Sequence, residues 1–301
     1  KDDGYYINMG FLEKIRNFLF ESFSNDYTET RYTKKTPNQK IELYIESRDI
    51  KILDELKEDK RTNLIFNVDT IDKLKNIDYY IDKLGDKIIY KLPLFNWNSE
   101  DLMPYYLKLQ NYSVMFTRWS QIFSTKDIKF KQKIIDYTVY VWNNYSVKYL
   151  QEHNIDIFTA SPELSFNKNC DILKDVKKQF VFCGNIPLMY TRICFKHIFD
   201  CQICNKLKEK NISNKEKEIN FKLKCTDDYR YLICDNPILN DYTKKELENI
   251  SLRYIIEEGG IEEIKKTINT ILENPDNYYD KMKKIKLWEN SYQANVNISR
   301  Y

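Results

Sequence analysis

Eight short runs rich in Val, Ile, Tyr and Phe punctuate the chain, at residues 41–46, 63–68, 87–92, 112–117, 138–142, 155–161, 179–184 and 251–256. Runs of this length and composition read as buried strands. Amphipathic segments lie between them, at 49–56, 71–84, 99–110 and 146–152. Strand–helix alternation calls for parallel strands joined by crossover helices. About eight such units close a (β/α)₈ barrel, so the expected fold is α/β and TIM-like. A doubly wound open sheet is the alternative.

Two stretches depart from that rhythm. At the start, Phe11, Ile15, Phe18, Leu19 and Phe23 recur near helical spacing, and a Thr-, Lys- and Asn-rich stretch with Pro37 follows. Between Gly184 and Ser251 the chain holds a Cys-rich segment and a charged run, 206–222, that reads as a solvated face. The expected organisation is an N-terminal helical segment and linker (1–38) and a barrel (39–275) with a Cys-rich insertion near its last strand (186–240). A C-terminal tail (276–301) follows. The barrel region ends in a helix over 261–272, with Ile261, Ile264, Ile268, Ile271 and Leu272 on one face and Pro275 as its stop.

With 42% hydrophobic and 31% charged residues in 301, the chain is globular in composition. Its 48 basic and 45 acidic residues leave a net charge of +3. That balance gives no strong field for nucleic acid, although a local basic groove remains compatible with it. No apolar run approaches the roughly 18 residues of a membrane span. No basic-then-apolar leader precedes the first helix, so a cytoplasmic, reducing setting is expected. A start at Lys1 suggests a piece of a longer protein.

Seven Cys include the series Cys194, Cys201, Cys204 and Cys234, a C-x₆-C-x₂-C-x₂₉-C pattern. A C-x₂-C pair lets two thiolates reach one metal from a tight turn, and two further Cys complete a four-thiolate shell. Such a shell suits tetrahedral zinc or an iron–sulfur cluster, and spacing leaves that choice open. Unpaired structural Cys are the plain alternative. Cys225 is the rival fourth ligand, although Cys170, Cys183 and Cys225 fit a buried reading better.

Four segments resemble one known family. Ser161-Pro162-Glu163-Leu164-Ser165 matches the "SPELS" of the collagenase-like peptidase family U-32. Gly184 through Cys194, with Pro187, Leu188 and Met189, resembles that family's "G-x-x-P-L-M-x-x-x-x-C". Residues 136–145 are similar to "D-Y-x-L-N-V-F-N-S-Y", and Cys234 followed by Ile238-Leu239-Asn240 resembles its last Cys and "I-L-N". The likeness covers roughly residues 40–272. It implies a TIM-like barrel and a 4Fe–4S cluster on Cys194, Cys201, Cys204 and Cys234, with zinc as the alternative. Some relatives are called peptidases or collagenases. Others take part in oxygen-independent hydroxylation of tRNA, rRNA or ubiquinone precursors, and some RNA-modifying ones use prephenate. The resemblance therefore implies RNA or a small anion such as prephenate as substrate. Residues 5–27 look like the end of a helper domain, which implies a partner chain or an upstream domain. Tyr140 stands where the family usually has Asn, Phe195 where Pro is common, and the charged stretch before Cys225 lacks the family's compact pattern.

In a barrel the reacting face lies at the C-terminal ends of the strands. Arg48, Asp69, Lys91, Arg118, Trp119, Asn143, Tyr145 and Glu163 fall there. Glu163 is the first acid–base candidate, since a partly desolvated carboxylate beyond an apolar strand can hold or release a proton. The same residue also reads as a helix-start Glu capped by Ser161. Arg118 and Lys91 suit an anionic substrate, but each taken singly fits a solvated or salt-bridged strand-end residue better. Asn143 could orient substrate with Tyr145, or serve its own turn. Trp97, Trp119 and Trp142 are candidate base-stacking residues, or core. With only His153 and His197, no H-E-x-x-H exists, and neither a Ser triad nor a Cys170 nucleophile finds an evident base.

Overall fold

The computed structural model describes residues 41–97, 99–192, 211–214, 219–226, 229–234, 236–243, 250–257 and 259–291. The chain divides into two compact units, Lys1–Lys34 and Lys35–Tyr301, and every described residue belongs to the second. The expected N-terminal segment, 1–38, lies outside the described residues.

A closed parallel barrel of eight strands, ringed by helices, forms the body of the protein. Seven strands run in chain order: β1 (Glu42–Ser47), β2 (Thr62–Asn67), β3 (Ile89–Lys91), β4 (Ser113–Phe116), β5 (Gln132–Ile135), β6 (Ile157–Thr159) and β7 (Lys177–Gly184). An insertion follows. Its β8 (Met189–Thr191), β9 (Asn211–Asn214), β10 (Ile219–Cys225) and β11 (Arg230–Cys234) form a separate antiparallel sheet in the order β8-β11-β10-β9. Then β12 (Ile238–Leu239) runs back antiparallel along the end of β7. Finally β13 (Ile250–Ile256) slots between β7 and β1, and β6 pairs with β7 to close the ring.

The period of two along each strand sorts the side chains. On β1, Leu43 and Ile45 face the helices and join the large outer core, while Tyr44 faces inward. Tyr44, Ile65, Ile89, Met115, Ile134 and Ile157 pack together as one apolar layer inside the barrel. Two residues further along their strands stand Glu46, Asn67, Lys91, Asp136 and Thr159, all buried. The barrel interior thus changes from apolar to polar in a single step toward its C-terminal mouth.

Seven of the eight expected strands coincide with observed ones. The fifth does not: residues 138–142 form a short 3₁₀ turn and loop, and the strand is Gln132–Ile135. The run is apolar because Val139 and Val141 are buried in the outer core, a signal that burial produces in any backbone conformation. The expected helix over 71–84 is two, Ile71–Lys75 and Ile77–Leu84, meeting at Asn76. Part of the charged run 206–222 belongs to β9 and β10. The last long helix, Ile261–Glu273, begins at Gly260 and buries Ile264, Ile268 and Ile271. Beyond it Trp288 is buried, its ring 5.4 Å from Tyr254 and its Nε1 donating to Thr267 Oγ1 at 3.0 Å. Residues 276–291 of the expected tail are therefore part of the packed barrel.

Candidate functional site at the barrel mouth

The polar interior is a closed ionic network. Arg253, fully buried on β13, donates from Nε and Nη2 to Glu46 Oε2 and from Nη1 to Asp136 Oδ1 at 2.8 Å. Lys91 Nζ lies 3.0 Å from Glu46 Oε1 and 3.1 Å from Asp136 Oδ2. Asn67 Nδ2 donates to Glu46 Oε1 at 2.7 Å, and Thr138 Oγ1 to Asp136 Oδ2 at 3.0 Å. Two carboxylates and two cations cancel, which a buried cluster needs because an uncompensated charge is costly there. Burial alone would raise the carboxyl of Glu46, but Arg253 and Lys91 outweigh it and hold it below the usual range. Asp136 follows the same logic, with Lys91 and Arg253 overcoming its burial. Gln179, also fully buried, accepts from Thr159 Oγ1 at 3.3 Å, and its Nε2 has no partner among the described residues.

One layer above, a second balanced cluster sits at the mouth. Arg48, just past β1, donates from Nε to Glu257 Oε1 at 2.9 Å and from Nη1 to Asp69 Oδ2 at 3.1 Å. Lys73 Nζ reaches Asp69 Oδ1 at 2.6 Å. The small antiparallel sheet closes over this layer. Tyr229 OH accepts from Arg48 Nη1 at 3.2 Å, the Tyr231 ring lies 4.3 Å from the Arg48 guanidinium, and Tyr231 OH donates to Glu257 Oε2 at 2.9 Å. Phe95, from the loop after β3, packs on Tyr190 and Tyr229 at 5.4 and 5.1 Å. Burial pushes the Glu257 carboxyl above the ordinary range despite Arg48 beside it.

The expected site residues are dispersed by comparison. Lys91 and Asp69 are buried in ion pairs rather than facing substrate. Glu163 lies in an exposed turn, where its backbone N–H donates to Ser161 Oγ at 3.3 Å, so the desolvation expected of it is absent. The following helix, Phe166–Ile172, is capped by Ser165, which sets Glu163 before the helix rather than in its first turn. Asn143 caps the helix Asn144–Glu152, accepting from Ser146 N at 2.9 Å, and Tyr145 is exposed. Arg118 is half-buried at the end of β4, and its buried Nε finds no partner among the described residues. Trp119 donates to Val139 O at 3.0 Å, whereas Trp97 and Trp142 are partly exposed. His153 Nδ1 contacts Tyr149 O at 2.9 Å on the outer helix and offers no base to the mouth. Sequence reasoning missed Glu46, Arg253, Gln179 and Glu257. The signal that would have found three of them is a charged or amide residue inside an apolar strand.

Two of the four motif segments, 184–194 and 234–240, meet at the end of β7. Gly184 ends β7 at φ +113°, and a Cβ there would lie 2.0 Å from Ile255 O, so only glycine fits. Ile238 and Leu239 pair with Gly184 and Cys183, and Asn185 Nδ2 donates to Cys234 O at 3.3 Å. Asp136 and Tyr137 stand in and beside the ionic network, the Tyr137 ring 5.5 Å from Lys91 Nζ. Tyr140 adopts the left-handed conformation at φ 56°, which among residues other than glycine Asn tolerates best. Asn169 ties Ser161 from both sides, Oδ1 accepting from its N–H and Nδ2 donating to its O.

Of the expected metal ligands, Cys194, Cys201 and Cys204 lie outside the described residues. Cys234 is partly buried, which pushes its thiol up. Strand alternation sets it on the face of β11 shared with Arg230 and Leu232, opposite Tyr231 and Ile233. Cys170 and Cys183 are buried as expected of structural thiols, but Cys225 is exposed. Cys225 pairs with Arg230, four residues from Cys234, so the two sit about 13 Å apart along the strands and cannot share one zinc ion. Among the described residues no group of three or more His, Cys, Asp or Glu is placed to hold a metal, and no described helix is long and apolar enough to cross a membrane. No known family model matches the chain, and no curated protein or solved structure is significantly similar to it.

Proposed function

We propose that this chain is an iron–sulfur barrel protein resembling family U-32, active in oxygen-independent hydroxylation or a related modification of RNA, a small molecule or a peptide. The observation that carries this reading is the meeting of the two Cys-bearing motif segments at the end of β7, where Ile238–Leu239 pairs with Cys183–Gly184 and Asn185 holds the Cys234 carbonyl. Cys194, Cys201, Cys204 and Cys234 would hold the cluster. A 4Fe–4S group bound by all four thiolates would supply electrons, and would offer a Lewis-acidic iron only if one thiolate were displaced. Arg118, with its unpaired Nε, is the residue best suited to an anionic substrate group such as a carboxylate of prephenate. Asn143 and Glu163, both exposed, can reach a substrate arriving from solvent but not one inside the barrel.

A second reading, a cluster- or zinc-stapled scaffold acting with a partner, is favoured by one observation. Cys234 points to the sheet face opposite Tyr231, away from the Arg48 layer. Nucleoside mass spectrometry distinguishes the two for the RNA branch. RNA from cells producing the wild type under anaerobic conditions should contain a hydroxylated nucleoside that is lost in cells producing Cys201→Ala. Metal-loaded protein with unchanged nucleosides would overturn the RNA branch and leave the scaffold reading or a non-RNA substrate.

A further inference from the structure

We infer that the antiparallel sheet is a hinged flap, latched shut over the polar barrel interior by Arg48. Both chain connections between this sheet and the barrel occur at one strand end. The outgoing chain leaves β7 through Gly184 and Asn185, and the returning chain pairs Ile238 and Leu239 back onto Gly184 and Cys183. Asn185 bridges the two through the Cys234 carbonyl. Away from that hinge, about 10 Å across β13, the Arg48 cluster ties described residues of the flap to the barrel mouth. Tyr229 OH and the Tyr231 ring meet the guanidinium, and Tyr231 OH donates to Glu257. The latch draws on three strand ends, since Arg48 follows β1, Asp69 follows β2 and Glu257 follows β13.

What lies beneath the flap makes opening useful. The layer below the mouth is polar rather than packed hydrocarbon, and Gln179 turns an unpartnered Nε2 into it. At the flap's edge a cleft of about 390 Å³ already separates Cys225 and Thr226 from Asp69, Thr70 and Lys73. Opening would part the Arg48 contacts and also the small aromatic cluster in which Phe95 packs on Tyr190 and Tyr229, a far smaller apolar surface than the outer barrel core. The inference concerns access to the mouth and stands whatever chemistry occurs there.

Hydrogen–deuterium exchange on the full chain tests it without metal or substrate. In Arg48→Ala, peptides covering β8, β10 and β11 should exchange faster by roughly tenfold or more, the effect of losing charge-assisted hydrogen bonds. Peptides from β2 to β6 should be unchanged. Equal acceleration in the barrel strands, or none in the sheet, would overturn the latch. If Arg48→Ala does not fold, Tyr231→Phe and Glu257→Gln carry the same test with the same two outcomes.

Discussion

Replacing Arg253 by Met removes one positive charge from a fully buried site. Arg253 is fully buried and pairs with both Glu46 and Asp136. Without it those two carboxylates share only Lys91, and the network carries one uncompensated negative charge. At 2.8 Å, the Asp136 pair alone is worth about 6 kcal/mol at an effective dielectric of about 20, before desolvation is subtracted. Breaking one partner of a buried pair costs about 3–5 kcal/mol. That is a large share of a typical stability of about 5–15 kcal/mol. Equilibrium urea unfolding, followed by tryptophan fluorescence, measures the loss. The decisive comparison adds Glu46→Gln to Arg253→Met, which removes a negative charge as well and restores neutrality. The double variant should be more stable than Arg253→Met alone. A single-variant loss below about 1 kcal/mol, or losses that simply add, would refute the claim that charge balance governs this interior.

Three further outcomes follow from the same geometry. Glu46 and Asp136 are held below their ordinary pKa, so their contribution is fully present above the unfolded carboxylate range and is lost as pH falls through the depressed folded values. Acid unfolding of the wild type should therefore be steeper than that of the Glu46→Gln, Arg253→Met double variant, and equal slopes would contradict it. Tyr140→Asn should stabilise by up to about 1 kcal/mol, because Asn fits the left-handed backbone that Tyr strains, whereas Tyr140→Val should destabilise. Thermal melts of the pair decide it. Gly184→Ala forces a Cβ onto Ile255 O, and should cost more than about 3 kcal/mol or prevent folding. A variant as stable as wild type would show that β7 and β13 can part there.

Most of the barrel was legible because its strands are short, β-branched and buried on both faces, which is what Val-, Ile- and Tyr-rich runs between amphipathic segments encode. The fifth strand was not, because Val139 and Val141 reach the outer core from a loop while the true strand, Gln132–Ile135, is short and half polar. The candidate residues were found by position along the chain, which gives the strand end but not the direction of a side chain. Lys91 and Asp69 do lie at strand ends, yet they turn inward to partners on other strands. Those partners, Glu46 on β1, Arg48 just past it and Arg253 on β13, are brought to them only by barrel closure. The clamp of Arg48 on Tyr229 and Tyr231 was invisible for the same reason, since Arg48 and Tyr229 lie 181 positions apart in the chain. The motif glycine and the "I-L-N" segment were legible as a resemblance, and their backbone pairing supplies a physical reason for that pattern.

Iron and acid-labile sulfide should be quantified on protein purified under nitrogen, for the wild type, Cys201→Ala and Cys225→Ala. About four irons and four sulfides per chain are expected in the wild type and in Cys225→Ala, with loss of both in Cys201→Ala. Protein without iron, or iron and sulfide that survive Cys201→Ala, would contradict a thiolate cluster on the insertion.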